Sequence, residues 1–202
     1  MQVIEKPQLR KLGRREYLPT LEAMRAFTRT RDEGTPDELW LLEHPPVYTL
    51  GQAAAVPAID NGIPLVQADR GGEVTYHGPG QIVLYALVDL ARRGIKVKRF
   101  VWLLEQAVIE LLEGRGERRP GAPGVYVEGA KLAALGIRVS RGRAYHGLAL
   151  NVDMDLGPFA AIDPCGYPGL RVTQIRDLGF GQSKEIIEAQ LAQQLIAGLE
   201  NG

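Results

Sequence analysis

The sequence predicts an α/β or α+β fold built on a mixed sheet with flanking helices, on three observations. Strand-like and helix-like runs are interleaved without the strict alternation of a parallel β-α-β array. The segment QIVLYALVDL, which begins at Gln81, is apolar at odd and even positions alike, as a central strand covered on both faces must be. Val97, Phe100, Val101, Leu104, Val108, Leu111 and Leu112 recur at the i, i+3, i+4, i+7 spacing of a helix with one buried face, and Gly114 supplies its stop.

The remaining elements follow in chain order. Leu18, Leu21, Met24 and Phe27 recur at helical spacing after Pro19, and the charged TRTRDEG stretch closes that first helix. ELWLLEH and VYTLG read as strands separated by Pro45 and Pro46, which leaves His44 at a strand end. GRGERRPGAPG is punctuation, after which GVYVEGAKLAALGIRVS and AYHGLALNVDM give three strands with turns at EG and SRGR, an antiparallel meander. DLGPFAAIDPCGYPGLR is a loop rich in proline and glycine. A last helix starts near Ser183 and carries Ile187, Leu191 and Leu195. The pattern leaves strand order open. At 202 residues the chain fits one compact domain spanning 1–202, although the stretch beyond about residue 180 is also readable as a separate docking helix.

Composition removes several function classes. Acidic and basic residues balance at 24 each, so the overall charge favours neither nucleic acid nor an anionic membrane as partner. Local basic clusters at Arg92, Arg93, Lys96, Lys98 and Arg99, and at Arg138, Arg141 and Arg143, are either solvated faces or steering sites for an acidic protein. The N-terminal stretch has no apolar core of a secretory signal, and the longest apolar run, residues 82–88, is far too short to span a bilayer as a helix; a cytoplasmic location is expected. One cysteine excludes an internal disulfide, and His44, His77 and His146 lack zinc-ligand spacing. No phosphate loop, dinucleotide fingerprint or GxSxG elbow is present, so no nucleotide, metal or other cofactor is implied.

Three places remain for chemistry. RGGEVTYHGPGQ, residues 70–81, combines Arg70 and His77 with four glycines; it reads either as a substrate-wrapping loop or as a long glycine-stabilised turn. Cys165 in DPCGYPG is either a small buried hydrophobe or a nucleophile in a tight loop whose amides receive an oxyanion. Lys131 opens the strand KLAALGIRV and, unless merely an exposed strand-end lysine, would favour the thiolate of a nearby cysteine.

Taken together, RGGEVTYHGPGQ, GVYVEGAKLAALGIRV, YHGLALNVDM and PCGYPGLRVTQI resemble the lipoyl(octanoyl) transferases, a branch of the biotin and lipoyl protein ligase superfamily, over roughly residues 40–178. The resemblance implies a large mixed sheet, a smaller second sheet and an acyl pocket between them. It also implies a catalytic pair, Lys131 and Cys165. Its substrate-binding segments correspond to Arg70, Gly71, Gly72, Glu73, Val74, Thr75, Tyr76 and His77, to Ala134, Leu135 and Gly136, and to Gly147, Leu148 and Ala149. The implied reaction moves an octanoyl group from octanoyl-acyl carrier protein, through a thioester on Cys165, to a lysine of the lipoyl domains of 2-oxoacid dehydrogenase complexes or of the glycine-cleavage H protein. An ATP-dependent lipoate or biotin ligase and an inactive lipoyl-domain-binding homologue are the alternatives.

Small residues at Gly147 and Ala149 are expected to line the far part of an acyl tunnel, with Leu148 and Leu150 on the other face of the strand. His146 is expected on the face shared with neither leucine, either as an ordinary strand histidine or as a residue supporting the site.

Overall fold

The computed structural model describes residues 5–163 and 169–201. In chain order the elements are β1 (Gln8–Arg14), α1 (Tyr17–Thr30), β2 (Glu38–Glu43), β3 (Val47–Leu50), β4 (Leu65–Gln67), β5 (Thr75–His77), β6 (Gln81–Asp89), α2 (Leu90–Arg93), α3 (Val97–Leu111), β7 (Gly124–Val127), β8 (Ala130–Ser140), β9 (Arg143–Asn151) and α4 (Lys184–Asn201), with 3-10 turns at Gly157–Ala161 and Ile175–Leu178. The large sheet has the order β1-β2-β6-β9-β8-β7, with β1 and β2 parallel and the other neighbours antiparallel. The small sheet has the order β4-β3-β5. Pro45 and Pro46 lack backbone donors, so the ladder cannot run on, and the chain leaves one sheet for the other between β2 and β3.

Period-two alternation sorts the central strands onto two cores. Ile82, Leu84, Ala86 and Val88 of β6, with Leu148 and Leu150 of β9, join the apolar faces of α3 and α4. Val83, Tyr85 and Leu87 of β6, with Ala149, face α1 through Tyr17, Leu21 and Met24. A third cluster around Tyr48, Tyr76, Phe159 and Ile162 is built on the small sheet.

The central strand, the meander and the main helix stand where the periodicity puts them. Four expectations are corrected. The buried stripe of α1 is Tyr17, Leu21, Met24 and Thr28, while Leu18 is 54% exposed, because the helix starts before Pro19 and Leu18 falls on the solvent side. The final helix is not a separate docking element: Ile187, Leu191, Leu195 and Leu199 are buried in the core it shares with α3. The 70–81 loop contains a short strand, β5. Arg92 and Arg93 are not a free steering patch, for they close on Asp37.

That carboxylate organises one end of the sheet. Asp37 is fully buried and accepts from Arg31 Nη2 at 2.6 Å, Arg92 Nη2 at 2.8 Å, Arg93 Nε at 2.6 Å and the Asp89 amide at 2.8 Å. Burial alone would raise its pKa; the Asp89 amide and the Arg31 and Arg93 guanidiniums outweigh burial and hold it below the ordinary carboxylate value. Arg93 also donates to the carbonyls of Glu5 and Leu199, so both ends of the described chain are tied to this node.

Asp37→Ala leaves buried guanidiniums without their carboxylate and should lower unfolding free energy by about 3–5 kcal/mol, read by urea denaturation. A loss within the error of the extrapolation would show that the cluster adds nothing to stability. The contribution is complete above the unfolded carboxylate pKa of about 3.9 and should be lost as acid protonates the folded carboxyl at lower pH.

Candidate active site

A cavity of about 420 Å3 lies against the large sheet beneath the 70–77 segment, lined by Tyr17 of α1 and also by Val101 of α3 and by Leu135, Ile137 and Leu148 of the core on the α3 side. Two rows of paired residues form its floor. Ala134 of β8 pairs with Ala149 of β9, which pairs with Val83 of β6; two residues further on, Gly136 pairs with Gly147, which pairs with Tyr85. All six line the cavity, small on β8 and β9 and large on β6.

The roof is backbone. The Gly71 amide donates to the Ile137 carbonyl at 2.9 Å, so the loop is stitched to the part of β8 that runs beyond β7. A Cβ on Gly136 would lie 2.9 Å from the Gly71 carbonyl oxygen, and one on Gly51 would lie 1.9 Å from that of Gly72. Glycine at both positions lets the loop come that close. Arg70 locks it: Nη1 donates to the carbonyls of Glu73 at 2.9 Å and Gly71 at 3.2 Å, and Nη2 to the carbonyl and hydroxyl of Thr49 at 2.7 and 2.8 Å. Arg70 thus shapes the roof by holding backbone.

The deep end is lined by the rings of Tyr17, His77 and Tyr85, with His44 behind Tyr85, and the polar atoms of His77 and Tyr85 are engaged away from the cavity. His44 Nδ1 donates to the Arg15 carbonyl at 2.6 Å, because a carbonyl can only accept; Nε2 is therefore the acceptor for the Tyr85 hydroxyl at 2.8 Å. His77 Nδ1 lies 2.8 Å from Gln81 Oε1, the amide atom that accepts, so Nδ1 carries the proton and Nε2 faces the Thr49 hydroxyl at 3.4 Å. Tyr17 stacks on His77 with ring centroids 6.0 Å apart. Burial lowers the His44 pKa to about 4 and that of His77 to about 3, the latter helped by the neighbouring charge of His44. Burial likewise raises Tyr85 well above its ordinary value and Tyr17 to about 12. All four rings are neutral near pH 7.

His146 stands apart in geometry. Its φ of +63° is left-handed, which costs a non-glycine residue about 1–3 kcal/mol. Strict alternation would put position 146 with Leu148 and Leu150 on the α3 side. The left-handed turn carries the side chain to the α1 face, the expected one, where Nε2 donates to Asp69 Oδ1 at 2.8 Å and the ring stacks on Tyr145 at 5.0 Å. Asp69, which burial would push up, is held well below the carboxylate range by bonds from His146, Tyr145 and Arg25. Gly147 owes its identity to the backbone: a Cβ there would lie 2.1 Å from the Leu84 carbonyl oxygen.

At the opposite end of the cavity Lys131 is buried, 5% exposed, with Nζ donating to the Pro123 carbonyl at 3.3 Å and lying 5.6 Å from the Tyr126 ring centroid. Its amide donates to the Arg171 carbonyl at 2.8 Å, and its own carbonyl accepts from the Thr173 amide at 2.9 Å. Asn151, also on the cavity wall, donates to the Thr173 carbonyl at 3.0 Å and accepts from Gln81 Nε2 at 2.9 Å. Phe159 and Val172, on either side of the 164–168 segment, line the same cavity. Cys165 lies outside the described residues.

The structure therefore brings together Lys131 and the anticipated positions of 70–77, 134–136 and 147–149, with one exception: Tyr76 turns away and packs on Tyr48 at 5.4 Å and Phe159 at 5.5 Å. Tyr17, Val83, Tyr85 and Asn151 line the cavity without having been singled out from sequence. Asn151 had a signal, a polar residue closing an apolar strand; Tyr17, far away in the chain, had none.

The arrangement of the two sheets is the fold of the lipoate and biotin protein ligases. A lipoate-protein ligase A bound with ATP superimposes with a TM-score of 0.76 over 97% of this chain and 86% of its own, at 17% identity. A biotin protein ligase from Aquifex aeolicus in complex with biotin and ATP gives 0.60 over 96% and 71%, at 11% identity. Residues 16–199 match the model of the lipoyl protein ligase A/B catalytic domain, and the chain belongs to that family. Within it, proteins named octanoyltransferase are similar: 62% identity for that of Aromatoleum aromaticum, over 85% of this chain and 77% of the relative, and 61% for that of Thiobacillus denitrificans, over 93% and 88%.

The buried histidines make stability sensitive to acid. In the unfolded chain they bind protons near pH 6.5, in the folded protein only near pH 4 and 3 for His44 and His77, so the unfolded state holds more protons between. Stability should be full above pH 6.5 and fall on acidification by on the order of 1 kcal/mol per pH unit for each histidine. Melting temperatures from pH 7.5 to 4.5 would show this as a decline that begins well above the carboxylate range, and a flat profile from 7 to 5 would contradict it.

Proposed function

We propose that this chain is a cytoplasmic octanoyltransferase that takes the octanoyl group from octanoyl-acyl carrier protein onto Cys165 and hands it to the target lysine of lipoyl domains, in 2-oxoacid dehydrogenase complexes and the glycine-cleavage H protein. One observation carries the reading. Lys131, buried at the cavity end, is hydrogen-bonded through its backbone to Arg171 and Thr173, in the stretch that follows the segment holding Cys165 in the chain. The kinship with octanoyltransferases and the cavity volume, within the roughly 300–1,000 Å3 of small-molecule sites, point the same way.

The Cys165 thiolate attacks the octanoyl carbonyl carbon, and the bond to the pantetheine sulfur breaks. The Lys131 ammonium favours the thiolate and gives its proton to the departing sulfur. In the second half the neutral acceptor amine attacks the acyl-enzyme carbonyl, an amide forms, Cys165 leaves as thiolate, and Lys131 takes the amine's proton and is restored. A thioester is more activated than an amide, so transfer runs downhill without ATP. The cavity receives the acyl chain, and the engaged polar atoms of His77 and Tyr85 leave it mostly ring carbon and aliphatic surface to touch.

Intact-protein mass spectrometry after incubation with octanoyl-acyl carrier protein should show one octanoyl adduct, labile to hydroxylamine. Cys165→Ala should abolish both adduct and transfer; normal turnover by this variant would exclude the covalent route. Lys131→Arg keeps a charge that cannot shuttle protons, and should form adduct more readily than it delivers it to a lipoyl domain. An ATP-dependent ligase of the same fold would instead bind nucleotide in a calorimeter and work on free octanoate.

A further inference from the structure

We infer that Val83 and Tyr85 of β6 are the residues that set acyl chain length, because the tail of the chain ends against them. The inference rests on reading the cavity as the acyl site. Its floor is small where it crosses β8 and β9, at Ala134, Gly136, Gly147 and Ala149, and becomes large at β6. The next strand contributes nothing to the cavity: Trp40 and Leu42 of β2, on the same face, are sealed with Leu21 and Met24 of α1 in closed core. The open space therefore stops at Val83 and Tyr85, with Tyr17 above them.

The distances suit an eight-carbon chain. Lys131 lies on β8, and Val83 and Tyr85 lie two strands across, three and five residues along from it. Strand spacings near 4.8 Å and a rise near 3.3 Å per residue put their backbones roughly 14 and 19 Å from that of Lys131 along the diagonal. A lysine side chain and an extended octanoyl group laid end to end reach most of the way across, where the side chains of Val83 and Tyr85 meet the tail.

The stop is also rigid. Tyr85 is 4% exposed, its hydroxyl is held by His44 Nε2 at 2.8 Å, and His44 is in turn held by the Arg15 carbonyl at 2.6 Å. A leucine or methionine at the end of a tunnel can change rotamer and yield to a longer chain. A tyrosine clamped at both ends of its ring cannot, so a tenth carbon meets a wall. His44, which does not line the cavity, acts as a positioning residue for Tyr85.

Competition among hexanoyl, octanoyl and decanoyl carriers tests this. Val83→Phe shortens the cavity and should lower octanoyl relative to hexanoyl transfer by roughly ten-fold; Tyr85→Leu lengthens it and should raise decanoyl relative to octanoyl transfer by a similar factor, the worth of two buried methylenes. Shifts in opposite directions from one strand are not what misfolding produces. If both variants melt like the parent and both ratios stay within about two-fold of it, Val83 and Tyr85 do not bound the chain. A variant-free arm decides the matter should either protein fail to fold. A pantetheine amide of octanoate with a terminal diazirine, photolysed on the unaltered protein, should label the β6 peptide at residues 83–85. Labelling of α3 or of residues 121–123 instead would overturn the assignment. This amide needs no thioester chemistry, so it reports the end of the cavity even if Cys165 forms no adduct, an outcome that would count against the transfer reading alone.

Discussion

The cavity depends on a buried guanidinium that holds backbone. Arg70 joins the carbonyls of Gly71 and Glu73 to Thr49 of the small sheet, while the Gly71 amide is bonded to Ile137 of the large one. The loop therefore spans the gap between sheets as a fixed roof. Without that span the floor of alanines and glycines would be an open groove; with it, the same residues enclose a chamber. Taking an arginine out of water is expensive, and several oxygens aimed at its donors are what make its burial tolerable here.

Below the roof the protein solves a second difficulty, which is to line an apolar site with residues that are not apolar. His77 and Tyr85 line it while their polar atoms bond outward, His77 to Gln81 and Thr49 and Tyr85 to His44, and His44 and Gln81 are held in turn by Arg15, Tyr76 and Asn151. The network also links the deep end to the stretch 171–173 beside Lys131, through Gln81, Asn151 and Thr173. A packed layer of aliphatic side chains would exclude water equally well but would transmit no fixed geometry from one end to the other, since each aliphatic contact is weak and undirected.

Much of this was legible from the sequence, and the reasons for what was not are physical. The strand at residues 81–89, the helix at 97–111 and the meander of 124–151 have strong periodicity because their burial is continuous. β1 has none: QLRKLGR is mostly exposed at the sheet edge, held by backbone bonds to β2 that any sequence can make. Leu18 misled because a leucine near a helix start looks like core until the phase is set by Tyr17. Arg92 and Arg93 looked like a surface patch because nothing local announces Asp37, more than fifty residues earlier. The segments 70–77, 134–136 and 147–149 were singled out through motif resemblance and, Tyr76 apart, line the cavity, whereas Tyr17, Val83 and Tyr85 reach it only through tertiary packing, which no local pattern encodes.

The contacts of Arg93 have a topological corollary. Its guanidinium touches the carbonyls of both Glu5 and Leu199, and Lys6 lies 3.2 Å from Glu200, so the two ends of the described chain emerge side by side, away from the Lys131 end of the cavity. The polypeptide is close to a ring. A linker of a few residues would close it, and new ends opened at the exposed turn of Arg141 and Gly142 would leave β8 and β9 joined by their ladder instead of by their connection. A cargo joined at Glu5 or at Asn201 would likewise leave from one place.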